Sequence, residues 1–151
     1  MMTKQKMRGF TLIELVVVIT ILGILAAFAI PKFIALDTQA RVATVNGLVG
    51  TVKSAAALAR SLSQATGNPA TVTMEGSVVA MLNNYPDSVL TGIPNAVNVV
   101  AADFTYVAGA AGTAGVWTRV GAPTPANCTV SYTPATGAGV PPVVAATITG
   151  C

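Results

Sequence analysis

Two places in this chain hold residues whose type and spacing could do chemistry. The first is Arg8-Gly9-Phe10-Thr11-Leu12-Ile13-Glu14, followed by an almost purely apolar run to Ile30. It sets a short basic leader, a candidate cleavage point at Gly9–Phe10 and one carboxylate at the head of a membrane-length segment. A carboxylate in hydrocarbon is expensive, so its charge must be answered by a partner or by the interface. The second place is the pair Cys128 and Cys151, the only cysteines in the chain. In an exported body one disulfide is the simple reading, since two cysteines allow one connectivity; two unpaired thiols are the alternative.

Elsewhere the chemistry is sparse. There is no histidine, and the acids Glu14, Asp37, Glu75, Asp87 and Asp103 are scattered. No Cys/His cluster has metal-ligand spacing, no glycine-rich loop leads into a phosphate-binding lysine, and no nucleophile has a base partner in the pattern. The sequence thus suggests no catalytic residues, no metal and no cofactor, and a non-enzymatic role. Asn127-Cys128-Thr129 fits a glycosylation sequon, but with Cys128 bridged the match is taken as chance.

The elements that carry these residues follow from composition and period. A length of 151 residues suits one globular domain plus an anchor. Hydrophobic residues make up 53% and charged residues 9%, well below the ~25% charged content of ordinary soluble domains. The net charge of +3 misleads, because Lys4, Lys6 and Arg8 all lie in the leader. After a cut at Gly9 the five remaining basic side chains match the five acids. No basic run survives, so nucleic acid is not an expected direct partner.

Residues 1–9 read as a leader, and residues 10–31 as a transmembrane helix of about the ~20 apolar residues that a bilayer requires. The positive charges ahead of it predict a cytoplasmic N-terminus and an exported C-terminus. Gly23 and Pro31 interrupt the helix. Pro31 has no N–H for the Ala27 carbonyl, and its ring crowds that carbonyl, so a kink or a loosened turn is expected between Gly23 and Pro31.

Helical patterning resumes over 32–66, with Phe33, Leu36 and Ala40, then Val45, Leu48, Val52, Ala55, Ala59 and Leu62 spaced by threes and fours. Thr66-Gly67-Asn68-Pro69 supplies the stop. One helix from about Phe10 to Ala65 would be about 84 Å long, apolar all round in its first half and amphipathic in its second.

Residues 67–151 form a head rich in Gly, Pro, Thr and Val. Thr71–Met74 and Val78–Met81 flank Glu75-Gly76-Ser77 as a hairpin, and Asn83-Asn84-Tyr85-Pro86-Asp87 reads as a turn. Over Asp87–Asn98 the pattern suggests a short helix and then a loop. Later strand candidates are Phe104–Val107, Val116–Val120, Cys128–Tyr132 and Val143–Thr149. The class is α+β: a long N-terminal helix packed under an antiparallel sheet, with a C-terminal loop closed by Cys128 and Cys151. Such a bridge is worth about 3 kcal/mol in the chain-entropy model.

The stretch Gly9-Phe10-Thr11-Leu12-Ile13-Glu14-Leu15 closely resembles the class III signal of type IV pilins. In that family a dedicated prepilin peptidase cuts after the glycine and methylates the new N-terminal phenylalanine. The resemblance therefore implies cleavage between Gly9 and Phe10 and N-methylation of Phe10. The free amine on Phe10 would then sit one helical turn from Glu14. We expect Glu14 to favour the helix N-terminal dipole and to pair with the Phe10 amine of a neighbouring subunit, setting register as subunits leave the membrane. A carboxylate snorkelling near a helix end is the plain alternative. The family also implies that the Gly23–Pro31 interval can melt in the filament, where an ordinary membrane-helix kink is the plain alternative.

Many type IV pilins close an exposed C-terminal loop with a disulfide, and Cys128 and Cys151 stand in matching places. Asn84-Tyr85-Pro86, Gly150-Cys151 and Ala29-Ile30-Pro31-Lys32-Phe33-Ile34 look like the mannose-sensitive haemagglutinin type of pilin. The implied partners are further copies of the chain in a helical homopolymer, the prepilin peptidase, the pilus assembly machinery and the membrane; the identity of a host or surface receptor is not specified by the sequence. The implied location is the bacterial inner membrane, then an extracellular pilus serving adhesion or motility.

Two other readings compete. A pseudopilin of a type II secretion system shares the junction, but its major form has an acidic calcium-binding loop near the C-terminus, and no Asp or Glu follows Asp103 here. A secreted or single-pass binding domain would use Ala27-Phe28-Ala29 as a small-x-small cleavage site and begin at Ile30. That reading leaves Glu14 in the signal's apolar stretch and Pro31 just past the cut.

Overall fold

The computed structural model describes residues 9–151. The expected leader, with Lys4, Lys6 and Arg8, lies outside the described residues apart from Gly9. The chain divides into two compact units, one ending at Asp37 and the other spanning Thr38–Cys151.

Helix α1 runs Leu12–Ala65 and stays helical through both Gly23 and Pro31. In the first unit its large apolar side chains, from Leu12 to Leu36, are exposed in the single chain. In the second unit the helix turns amphipathic. Val45, Val52 and Ala59 are fully buried, and Leu48, Ala55, Ala56 and Ser63 complete the buried stripe. Leu62 is half-buried, while Phe33, Leu36 and Ala40, the first members of the expected stripe, are exposed. The helix ends as Thr66-Gly67-Asn68-Pro69 suggests. Gly67 takes φ 86° and Asn68 φ 58°, and the Asn68 N–H donates back to the Ser63 carbonyl at 2.7 Å, closing the last turn with the long-range bond of a glycine C-cap.

Strands β1 (Thr71–Met74) and β2 (Ser77–Leu82) form the expected hairpin. Its turn is the two residues Glu75 and Gly76, both with positive φ, so Ser77 joins the strand opposite Met74. A second tight turn, Asn83-Asn84, has φ 51° and 68°. Two residues with positive φ complete such a turn, and Asn tolerates that region. The chain therefore re-enters the ladder at once: Tyr85–Pro86 is a short strand β3 paired with Leu82 and Met81, not part of the turn as the sequence suggests.

Over Asp87–Asn98 the expected order reverses. The loop comes first, and the single helical turn α2 (Ile93–Ala96) follows. The Asp87 carbonyl accepts the Ile93 N–H at 2.7 Å, and a Cβ on Gly92 would lie 2.1 Å from that same oxygen. The loop can close this tightly only over glycine.

The remaining strands, β4 (Phe104–Val107), β5 (Gly115–Arg119), β6 (Thr129–Thr133) and β7 (Val143–Thr147), form an antiparallel meander in chain order. A one-turn 3-10 helix, Pro125–Asn127, precedes β6. The head thus holds two sheets, of three and four strands, where the sequence suggests one. The excursion between Pro86 and Phe104 separates the two ladders, and β3 is only two residues long.

The core lies between α1 and these sheets. Val45, Leu48, Val52, Ala55 and Ala56 pack in one cluster with Trp117, Val130, Tyr132 and the two cysteines. Ala59 joins Val72 and Val79 in a second cluster. The small alanines let the strands approach the helix closely, and dense contact of this kind supplies most of the stability of such a domain.

Candidate functional site

The N-terminal junction is built by a helix cap. Gly9 and Phe10 precede the helix, and Phe10 is 84% exposed. Thr11 is the capping residue. Its carbonyl accepts the Leu15 N–H at 3.3 Å, and its Oγ1 accepts the Glu14 N–H at 3.3 Å. In return Glu14 Oε2 accepts the Thr11 N–H at 2.9 Å and the Thr11 hydroxyl at 2.7 Å. This is a reciprocal capping box, satisfying backbone donors that the first turn would otherwise leave orphaned.

Glu14 thus caps its own helix, a role beyond the dipole and the neighbouring amine that its charge suggests. The signal was available in Thr11-Leu12-Ile13-Glu14, which has the [ST]-x-x-[DE] spacing. Both bonds land on Oε2; among the described residues Oε1 accepts no hydrogen bond. The cap therefore fixes the carboxylate beside the Phe10–Thr11 backbone and leaves one of its oxygens open to a further donor.

Behind the cap, α1 has a window apolar and long enough to cross a membrane, with none of that window buried inside the chain. Gly23 and Pro31 both lie in this helix, and a Cβ on Gly23 would meet nothing within 4 Å.

At the other end Cys128 and Cys151 are joined in a disulfide. The bridge is one of several ties on the C-terminal tail. Thr124 N–H donates to the Gly150 carbonyl at 3.1 Å, and Gly150 N–H to the Asn127 carbonyl at 2.9 Å. Arg41 Nε of α1 donates to the Cys151 carbonyl. A Cβ on Gly150 would sit 2.5 Å from the Thr124 carbonyl, so this close docking requires glycine.

The acid most deeply placed in the head is Asp87. Its Oδ1 accepts the Ser88 N–H at 2.7 Å and the Gly112 N–H at 3.1 Å. Ser88 Oγ donates to the Thr113 carbonyl at 2.5 Å, Tyr106 Oη to the Ser88 carbonyl at 2.5 Å, and Tyr132 Oη to the Pro86 carbonyl at 2.6 Å. These bonds tie the 86–88 segment to the four-stranded sheet and satisfy polar groups that burial would otherwise penalise. Burial, and then the Asp87 charge, pushes the Tyr106 hydroxyl up to about 12 and raises that of Tyr132 as well. The network positions backbone and offers no open reactive group.

Comparison with known proteins bears on the N-terminal segment. The family described as the prokaryotic N-terminal methylation motif matches residues 4–30. Over this segment the chain is similar to type IV pilins and to a secretion-system protein. It is 49% identical over 55 residues to the type IV narrow pilus major component PilA5 of Thermus thermophilus, an alignment covering 36% of this chain and 47% of that protein. It is 59% identical over 34 residues to the type IV major pilin protein PilA of Myxococcus xanthus, covering 22% of this chain and 16% of that one. It is also 41% identical over 54 residues to the type II secretion system core protein G of Pseudomonas aeruginosa, covering 36% and 38%. The alignments thus span less than half the length of these curated relatives. No solved structure matches the chain. The likeness is to type IV pilins in general and does not single out the mannose-sensitive haemagglutinin type.

Proposed function

We propose that this chain is the structural subunit of a bacterial type IV pilus. It is held in the inner membrane as a precursor, cut after Gly9, methylated on Phe10 and polymerised into a surface filament for adhesion or motility. The observation that carries the proposal is the pairing of the methylation motif over residues 4–30 with an apolar helical window that the chain leaves wholly unburied. So large an apolar surface is unstable in water. A bilayer covers it in the precursor, and the helices of other copies cover it in a filament.

In this reading Glu14 has two successive roles. Through Oε2 it caps its own helix, and through Oε1 it meets the cationic Phe10 amine of the next subunit once cleavage has freed that amine. The interval from Gly23 to Pro31 is the part of α1 that loosens on assembly, because glycine disfavours helix and Pro31 lacks the donor for Ala27. The partners are further copies of the chain, a prepilin peptidase, the assembly machinery and the membrane. The similar proteins are a pilus component and a secretion-system core protein, which accords with a non-enzymatic role.

The likeness to core protein G supports a second reading, a secretion-system pseudopilin. Two measurements decide. Mass spectrometry of the mature protein should find a chain starting at methylated Phe10; a start at Ile30 would sink both readings. Electron microscopy of cells with and without the chain should show filaments lost on deletion. Loss of protein secretion with filaments intact would favour the pseudopilin.

A further inference from the structure

In the Thr38–Cys151 unit nearly every charged side chain is engaged. Arg41 holds the Cys151 carbonyl, Arg60 donates to Tyr85 Oη and lies over its ring, Arg119 pairs with Asp103 at 3.2 Å, and Asp87 is buried with its N–H donors. Lys53 and Glu75 differ: both are exposed, and neither has a hydrogen bond or ion pair among the described residues.

Glu75 is also in an unusual conformation. It is the first residue of the β1–β2 turn, at φ 49°. That position favours Asn, Asp or Gly, and a long side chain rarely takes it. A strained acid that makes no contact within its own head points to a contact outside it. Glu75 lines a groove of about 750 Å³ between α1, the hairpin and α2, together with Leu58, Met74, Pro94 and Ala96. Leu58 is 62% exposed there, an apolar side chain the head does not cover.

The helix fixes where Lys53 stands relative to this groove. Thr51, Ser54, Ala55 and Leu58 line it. At 3.6 residues per turn Lys53 is about 200° around the helix from Thr51, with the buried stripe through Val52 between them. The unpaired cation and the unpaired anion therefore lie on opposite flanks of one head and cannot meet within it. They can meet between two heads. Such a contact joins different surfaces of identical subunits, so it does not close on itself and can recur along a polymer.

We propose that the groove at Glu75 receives the Lys53 flank of a second copy of this chain, with Glu75–Lys53 as the ion pair that sets the lateral register of the heads and Leu58 covered by the contact. This rests on the filament reading above and adds to it a specific head-to-head contact.

The test uses filaments sheared from cells. Carbodiimide coupling, which joins an adjacent amine and carboxylate, should give a dimer whose cross-linked peptide pairs Lys53 with Glu75. A dimer linking Glu75 to Lys32, or coupling of other acids with none at Glu75, overturns the proposal. Glu75→Lys and Lys53→Glu should each lower filament yield about fivefold, and the double exchange should restore it; equal loss in the double variant overturns the proposal. Glu75→Asn separates assembly from folding. It places a favoured residue in the turn, so the head should melt at a higher temperature while filament yield falls; a less stable head would assign Glu75 to the fold instead. Normal filaments that lose only surface attachment would give the groove to a foreign partner and overturn the proposal. Absence of filaments from the wild-type chain sinks the subunit reading itself, whereas these other outcomes sink the head contact alone.

Discussion

Gly115→Ala is the substitution whose effect the structure specifies most closely. Gly115 opens β5, and Tyr106 on β4 pairs with Trp117, two residues further along. Tyr106 is thus the diagonal neighbour of Gly115 and leans across it. A Cβ at 115 would fall 1.9 Å from Tyr106 Oη and 2.6 Å from Cζ. The ring has little freedom to yield, since its hydroxyl donates to the Ser88 carbonyl at 2.5 Å and its centroid lies 4.4 Å from that of Trp117.

Displacing Tyr106 loses that hydrogen bond, about 1 kcal/mol, and strands a buried carbonyl at about 1 kcal/mol more. It also weakens an aromatic contact worth about 0.5–1.5 kcal/mol. The expected cost is about 2–4 kcal/mol, or a melting temperature lower by roughly 5–15 °C for a head of this size. Trp117 is the only tryptophan and is buried, so its emission reports unfolding of the full chain in detergent directly. In a Tyr106→Phe background the nearest clashing atom and the hydrogen bond to Ser88 are already gone, and the same Gly115→Ala change should cost about 2 kcal/mol less. An unchanged melting temperature, or an equal cost in both backgrounds, would refute the assignment of Gly115 to this contact.

Two further outcomes are expected. Glu14→Ala should leave the chain in the membrane yet block assembly, while Thr11→Ala, which removes the hydroxyl half of the capping box but leaves the carboxylate, should reduce assembly less; normal filaments from Glu14→Ala in electron micrographs would remove the role given to Glu14. At alkaline pH the head should lose stability. Because folding raises the Tyr106 hydroxyl to about 12, and Tyr132 in the same direction, the unfolded chain gives up these protons first. The stabilisation is therefore complete below about pH 10 and falls as pH rises toward 12. Tyrosinate absorbance and Trp117 emission should change together in that interval, and Tyr106→Phe should flatten the dependence; tyrosines titrating at their ordinary value with no change at Trp117 would contradict the network.

Much of the architecture was legible because it depends on local rules. The apolar run after Glu14, the spacing of Val45, Leu48, Val52 and Ala59, and the Gly67-Asn68 stop each carry their own period or backbone preference. Phe104–Val107 reads as a strand for the same reason. The misreadings fall where one local rule competes with another. Asn83-Asn84-Tyr85-Pro86-Asp87 contains so many turn formers that it reads as a single turn, yet two asparagines at positive φ complete it and Tyr85 is already paired. At the N-terminus the charge of Glu14 in an apolar run competes with the Thr11-x-x-Glu14 spacing, and the cap rests on the spacing.

The sequence by itself determined the N-terminal motif: the Gly9-Phe10 junction, the acid at Glu14 and a membrane-length apolar helix are all local in the chain, and adjacent residues carry them. Only the tertiary structure decided what long-range packing controls. It divided the head strands into two sheets, brought Arg41 to the Cys151 carbonyl across 110 positions of sequence, and set Tyr106 over Gly115. It also separated Lys53 from Glu75, which stand on one helix and one hairpin with nothing in the sequence to relate them. Residues distant in the chain meet, or fail to meet, only through the packing of the elements that hold them.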